Sequence, residues 1–361
     1  MKKRKEMVLA LAAVMAVASI TACGNTQTGD NEGDFTGKTL NIMTWEGDVS
    51  DTVVAAFEEE YGCTVNVNYM EDTNTLLSKV MMGNSEYDLI DIESAYVSAF
   101  VEAGVLAELD YDLLTNLENV DETLLEIGAA GDEKFVYTLP SGGPYATLVV
   151  YNKETCPITI NSFKDLADPA LKGEIFCTNA TISLYEGGLR ALGYDINSDD
   201  PDELAEAQEL LYQIKDNVKV FGPSCLSALE TGECSVAYTW DYNMLMIDGE
   251  ENWDKFEIVD DTANLYNQNW GITKSSANKE LAMTFLNYTM DPKNNGTLCN
   301  EWGGIPLCKR ELVEEYLPEG YYDNPYITKY LELWPNHTNL CVTDSQVDQM
   351  DVLYTELMTD Q

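Results

Sequence analysis

The chain has a single histidine, His337, in 361 residues. That shortage argues against most zinc sites and against Ser-His and Cys-His catalytic constellations, for which His337, after Trp334-Pro335-Asn336, would be the only imidazole. Positive charge is the second shortage: 20 Lys and Arg stand against 63 Asp and Glu, a formal net charge of −43. A surface of that sign repels phosphate backbones and anionic headgroups, so no nucleic-acid partner is expected. Exposed charges are screened beyond about 8 Å in physiological salt, so acidity alone marks solubility and not a particular ligand. The sequence also lacks a Cys-x-x-Cys pair, a P-loop, a dinucleotide fingerprint, an EF-hand and any repeat of fixed period. No metal, cofactor or catalytic set is expected, and energy for any transport would come from another polypeptide. With 63 acidic residues some carboxylate pair is always close, so paired carboxylates do not by themselves indicate an exported hydrolase.

What is present begins with one apolar run. Met7 to Ile20 follows Lys2, Lys3, Arg4 and Lys5 and is short for a membrane span, which is the pattern of a secretion signal. Ile20-Thr21-Ala22-Cys23 resembles a bacterial lipobox, in which Cys23 takes a diacylglyceryl group on its sulfur and becomes the mature N-terminus. Residues 1–22 are therefore expected to be a lipoprotein signal peptide, and the polar, Gly-rich residues 23–36 a lipid-anchored flexible tether. The body then works outside the cytoplasm, anchored to the cell membrane in a periplasmic space or on a Gram-positive surface. Eight cysteines remain besides Cys23, an even number that permits disulfides in an exported chain. Short separations make Cys225 with Cys234 and Cys299 with Cys308 candidate pairs, free buried thiols being the alternative.

The stretch from Thr39 to Tyr69 organises the rest. Leu40, Ile42 and Thr44 alternate with Asn41, Met43 and Trp45, the period of a strand. After Glu46-Gly47-Asp48, Val53, Val54, Phe57 and Tyr61 recur at helical spacing, with Ser50 or Asp51 as N-cap and Gly62 as left-handed C-cap. Val65, Val67 and Tyr69 return to period two, completing a β-α-β unit with parallel strands. Ligands in such sheets bind beyond the carboxyl ends of the strands, where this unit delivers Trp45, Glu46 and Asp48. An aromatic face beside two carboxylates suits a small organic cation.

Farther on, Tyr87 to Ile92 is predicted as a third strand that points Glu93 at the same crevice. Leu139-Pro140-Ser141-Gly142-Gly143-Pro144 breaks the α/β pattern and reads as an interdomain crossing. A helix is predicted over 201–215, a strand over 235–241 that delivers Trp240 and Asp241, a helix over 279–290, and a last helix over 345–358.

These segments carry a resemblance. From about Thr39 onward the chain is similar to bacterial extracellular solute-binding proteins, and within them to the spermidine/putrescine branch. The matching stretches are Asn41-Ile42-Met43-Thr44-Trp45, Tyr87-Asp88-Leu89, Ser162-Phe163-Lys164-Asp165-Leu166, Leu189-Arg190-Ala191-Leu192-Gly193-Tyr194, Tyr238-Thr239-Trp240 and Gly303-Gly304-Ile305-Pro306. The resemblance implies an α/β, two-lobed periplasmic-binding-protein fold, type II-like, with the ligand cleft between lobes. Lobe 1 is expected over 37–142 plus 264–316, and lobe 2 over 143–263 plus 317–361. Hinges are expected near Ser141-Gly142-Gly143 and Asp260-Asp261. Trp45, Trp240 and Tyr266 fall on aromatic positions that line the family's polyamine cleft. Two family carboxylates fall on Ala180 and Ser183, a family aspartate on Gln268 and a family glutamine on Asp344, so the acidic complement is altered.

Together these readings describe a substrate-binding lipoprotein of an ABC importer, a monomer that captures a polyamine or similar organic cation and delivers it to the permease. Its expected ligand contacts are Trp45, Glu46, Asp48, Glu93, Trp240, Asp241, Tyr266, Gln268 and Asp344. A sugar, an amino acid derivative or a ferric complex is the alternative cargo. Tyr321-Tyr322 could supply an iron-binding phenolate pair, although Glu319-Gly320 beside them reads as a surface turn.

Overall fold

The computed structural model describes residues 33, 35–70, 73–83, 86–125, 131–132, 134–247, 250–333 and 343–359. The leader, Cys23, His337 and Cys341 lie outside the described residues, as does the side chain of Asp344. Strands β1 (Thr39–Thr44), β2 (Thr64–Tyr69), β3 (Leu89–Glu93) and β4 (Thr138–Pro140) are followed by β5 (Tyr145–Asn152), β6 (Ile175–Thr178) and β7 (Val218–Gly222). The remaining strands are β8 (Val236–Trp240), β9 (Phe256–Tyr266) and β10 (Gln268–Ile272). They form two five-stranded sheets, ordered β2-β1-β3-β10-β4 and β7-β6-β8-β5-β9.

The opening unit folds as its pattern predicts. Ser50 Oγ accepts from the Val53 amide at 3.1 Å, and Gly62, at φ 68°, donates its amide to the Glu58 carbonyl. Between these caps helix Asp51–Tyr61 buries Val53 and Phe57, and the Phe57 ring meets Phe285 edge-on at 5.1 Å. β1 pairs in parallel with β2 and β3. In the second sheet, helix Pro201–Lys215 keeps its predicted bounds, with Asp200 capping and Pro201 in the first turn.

Both sheets present one functional edge. In the first, the carboxyl ends of β1, β3 and β4 lie together with the start of β10, because β10 runs antiparallel to β3 and β4. In the second, the ends of β6, β7 and β8 meet the start of β5 and the end of β9, since Tyr145 pairs with Tyr266 and Thr147 with Trp240. The chain leaves β4 for β5 through 141–144 and returns from β9 to β10 through Asn267. The second crossing is thus at residue 267 and not at the expected boundary between 263 and 264. Asp260 and Asp261 lie inside β9, in the bulged stretch between its Val149–Val259 and Thr147–Asn264 pairs with β5, so they are not at a crossing.

The cysteines take the second of their two expected states. Cys225, Cys234, Cys299 and Cys308 are free, buried thiols, and burial pushes Cys299 and Cys308 up to about 12. Tyr321 and Tyr322 follow Glu319-Gly320 in a single helical turn, Tyr321–Asp323, and their half-buried rings pack on a small core of Cys299, Cys308, Val313 and Leu317. That packing keeps residues 317–322 with the elements of the first sheet, and helix Pro325–Leu333 is the next to touch β9.

At the first crossing the Gly143 amide donates to the Ile305 carbonyl at 3.1 Å, and a Cβ on Gly143 would lie 2.1 Å from that oxygen. Backbone cannot yield there as a side chain would. Gly143→Ala should therefore destabilise the protein by about 1–3 kcal/mol or more, read as a lower denaturation midpoint. An unchanged midpoint would mean that the crossing does not hold this close approach.

Candidate functional site

Three aromatic rings converge at the edge of the second sheet. Tyr145 stacks on Tyr266 with centroids 5.4 Å apart, and Trp240 lies 5.8 Å from Tyr145 and 5.9 Å from Tyr266. Strand pairing makes this trio, because the register places the last residues of β8 and β9 beside the first residues of β5. Trp240 and Tyr145 are half-buried, whereas Tyr266 is buried.

Helix Thr181–Leu192 brings the first carboxylate to these rings. Its Gly187 and Gly188 allow close packing, since added Cβ atoms would meet the Phe163 ring at 2.8 Å and Ala207 Cβ at 3.2 Å. The Ser183 carbonyl accepts from Tyr238 Oη at 2.6 Å and from Asn264 Nδ2 at 3.3 Å, which ties the first turn to β8 and β9. One turn later, Glu186 is 1 % exposed and its Oε2 accepts from the Tyr266 hydroxyl, while Oε1 has no hydrogen-bond partner. Desolvation pushes the Glu186 carboxyl up to about 8, against the lowering hydrogen bond from Tyr266, with the Glu93 charge adding to the rise. Arg190, one turn on, lowers it only in part, and its Nη1 donates instead to the Ala263 carbonyl at 2.9 Å.

The first sheet contributes three more carboxylates. Glu93 ends β3 opposite Gln268 of β10, and burial pushes it up to about 7. Asp91 is fully buried; its Oδ2 accepts from Thr44 Oγ1 at 2.9 Å and its Oδ1 has no hydrogen-bond partner. Asp48, half-buried on the loop after β1, is pushed up to about 6 by desolvation, which the neighbouring Asp91 carboxyl partly offsets. Asp91 is raised further, by desolvation first and the Asp48 charge second. Tyr145 is the meeting point of both edges: burial raises its phenol most, and the charges of Glu93, Asp48 and Asp91 add to the effect. Among the described residues no ion pair joins any of these four carboxylates to a Lys or Arg. Nor do the described residues place three His, Cys, Asp or Glu as a metal site.

Of the residues singled out by sequence, Asp48, Glu93, Trp240 and Tyr266 come together here. Trp45 follows β1 directly, half-buried, with Nε1 buried and without a hydrogen-bond partner. Gln268 Oε1 is likewise buried and unpartnered. Glu46 is exposed and turned to solvent. Asp241 is buried, and its carboxylate accepts from the Tyr242 amide at 2.8 Å to cap helix Tyr242–Leu245, a structural task. Asp91, Tyr145 and Glu186 join the site without having been singled out by local pattern. In sequence Asp91 is interior to a strand pattern and Tyr145 follows a Gly-Pro break. Glu186 was hidden by Gly187-Gly188, which lower helix propensity in the middle of its helix. The spacing of Ile182, Tyr185 and Leu189 ahead of Gly193, a left-handed C-cap at φ 84°, was the available signal.

Known proteins share this architecture. The solved Spermidine/Putrescine ABC Transporter Substrate-Binding Protein PotD of Streptococcus pneumoniae superposes with a TM-score of 0.69 at 20% identity, over 89% of this chain and 98% of that one. The TpPotD lipoprotein of Treponema pallidum superposes with a TM-score of 0.73 at 18% identity, over 89% and 99%. The fold is thus the two-lobed α/β architecture of periplasmic binding proteins, type II-like. In sequence, the chain is 29% identical over 297 residues to the putrescine/cadaverine-binding protein of Pseudomonas aeruginosa, covering 76% of this chain and 82% of that protein. It is 25% identical over 258 residues to the spermidine/putrescine-binding periplasmic protein of Salmonella typhimurium, covering 70% and 73%. Residues 52–314 match the family described as bacterial extracellular solute-binding protein, and with the two sheets and their facing edges this establishes that the chain belongs to that family.

Proposed function

We propose that this protein is the substrate-binding lipoprotein of an ABC importer, capturing a polyamine such as putrescine or spermidine, or a similar small organic cation. It is tethered outside the cytoplasm through Cys23 and hands its cargo to a membrane permease. One observation carries the reading: Asp48, Asp91, Glu93 and Glu186 are desolvated without Lys or Arg ion pairs, beside the rings of Tyr145, Trp240 and Tyr266. A carboxylate out of water is costly unless a cation joins it. An ammonium group supplies that charge, and its methylenes lie against the aromatic faces, where a desolvated cation over an indole contributes about 2 kcal/mol. The names of the relatives, which bind putrescine, cadaverine or spermidine, support the same class.

A ferric cargo is disfavoured by the tyrosine pair. The Tyr321 hydroxyl donates to the Gly304 carbonyl, and both rings pack half-buried on Cys299, Cys308, Val313 and Leu317, so the pair is engaged within the fold. Thermal-shift measurements on residues 37–361 with putrescine, spermidine, choline, betaine and a panel of sugars test the cargo. Stabilisation by the amines is expected; a response to sugars with none to any amine would overturn the proposal. In whole cells, Cys23→Ala should move the protein out of the membrane fraction, and retention there would refute the lipid tether.

A further inference from the structure

Trp302, the last residue of helix Pro292–Trp302, is 42 % exposed and belongs to none of the core clusters. Its covered side shows what it does. A Cβ built on Gly47 would stand 3.4 Å from Cε3, 3.6 Å from Cδ2 and 3.9 Å from Cγ of the indole, so the ring lies at contact range over that glycine. Gly47 sits in the turn after β1, between Trp45 on one side and Asp48 on the other.

That turn has little of its own to hold it. Within residues 45–48 the backbone bond runs from the Asp48 amide to the Trp45 carbonyl at a long 3.3 Å. Gly47 adopts φ 105°, a region that glycine enters without steric cost and leaves as freely. Glu46 is exposed, and Trp45 Nε1 has no hydrogen-bond partner. The support on the other side is firm. Asp291 Oδ1 caps the helix by accepting from the Lys293 and Asn294 amides at 3.0 and 3.4 Å, and the helix buries Asn295, Gly296 and Cys299. Glu301, next to Trp302, accepts from the Thr52 hydroxyl in the first turn of helix Asp51–Tyr61. Adjacent residues thus grip both ends of the segment 47–52. Past the indole, Gly303 at φ 79° and Gly304 at φ 102° turn the chain to Ile305, whose carbonyl holds the Gly143 amide of the first crossing.

We propose that Trp302 is a positioning residue: without touching the cargo, it holds the turn 45–48 in the conformation that presents Trp45 and Asp48 to the cleft. The inference rests on the organic-cation reading above for its binding probe, whereas the order of the turn is a property of the empty protein. Only the competent conformation receives the ligand, so a turn ordered about a tenth of the time binds about tenfold more weakly.

The experiment pairs ¹⁵N relaxation of the Gly47 and Asp48 amides in the empty protein with calorimetric titration by 1,4-diaminobutane, on wild type, Trp302→Ala and Trp302→Phe. Order parameters at both amides should be about 0.85 in wild type and fall below about 0.6 in Trp302→Ala. Affinity for the diamine should fall about tenfold in the same variant. Trp302→Phe keeps a flat face over Gly47 and should restore both readings. Trp302→Gln, which has reach but no ring, should repeat the loss and serves if Trp302→Ala does not fold. Unchanged order parameters overturn the proposal whatever the affinity does, and a fall in affinity alone would mean that the indole itself meets the cargo. A mobile turn with unaltered affinity overturns it too, because binding then needs no fixed turn. Failure of wild type to bind the diamine refutes the cargo reading instead, and the relaxation data still decide whether the indole orders the turn.

Discussion

Glu186→Gln is expected to weaken 1,4-diaminobutane binding by about a hundredfold or more while leaving the fold intact. The substitution keeps shape and keeps an oxygen for the Tyr266 hydroxyl, so the anchoring of helix Thr181–Leu192 persists. It removes the buried charge that an ammonium would neutralise, and deleting one partner of a buried, hydrogen-bonded ion pair costs about 3–5 kcal/mol. Isothermal titration of the variant reads this directly. An affinity within a few-fold of wild type would mean that Glu186 does not face the cargo. The same variant should be more stable than wild type when empty, because no carboxyl group is left to ionise in a dry site.

That second effect belongs to a wider expectation: the empty protein should lose stability as pH rises through about 7 and 8. Glu93 and Glu186 titrate near 4.5 in an unfolded chain but are pushed up to about 7 and about 8 in the fold. Between those values the folded protein holds protons that the unfolded chain has released, so raising the pH favours unfolding. Their contribution is fully present below about pH 4.5 and is lost as pH climbs through the folded values, on the order of a few kcal/mol for the two together. Denaturant titration of the empty protein from about pH 5 to pH 9 should show the decline, and saturating diamine should suppress most of it. Glu186→Gln should flatten the curve. Stability that climbs steadily toward pH 8 would show that these carboxylates already have a compensating charge.

How much of this was legible beforehand varies with how local the cause is. The caps Ser50 and Gly62, the helix Pro201–Lys215 and the aromatic end of β8 are consequences of neighbouring residues, and each appears where its pattern places it. Asp241 illustrates the opposite. A carboxylate after a strand reads equally as ligand contact or helix cap, and only the chain's turn into Tyr242–Leu245 directs it to the Tyr242 amide. The altered acidic complement is a second case. The resemblance to the family leads one to expect carboxylates at positions 180 and 183, where Ala180 and Ser183 stand, yet the helix carries Glu186 one turn beyond Ser183, buried under Tyr266. The free thiols make the same point, because Cys225 and Cys234 are near in sequence and still stay unbonded in the core.

The sequence by itself determined the alternating α/β elements, their caps and the strand-end aromatics, since periodicity, capping and turn chemistry act over a few residues. Only the tertiary structure decided which charges meet. Asp48, Asp91, Glu93, Glu186 and Tyr145 are joined by strand register across two sheets and by one helix packed close through its glycines, and the rise of each carboxyl group is caused by the water excluded when those surfaces come together.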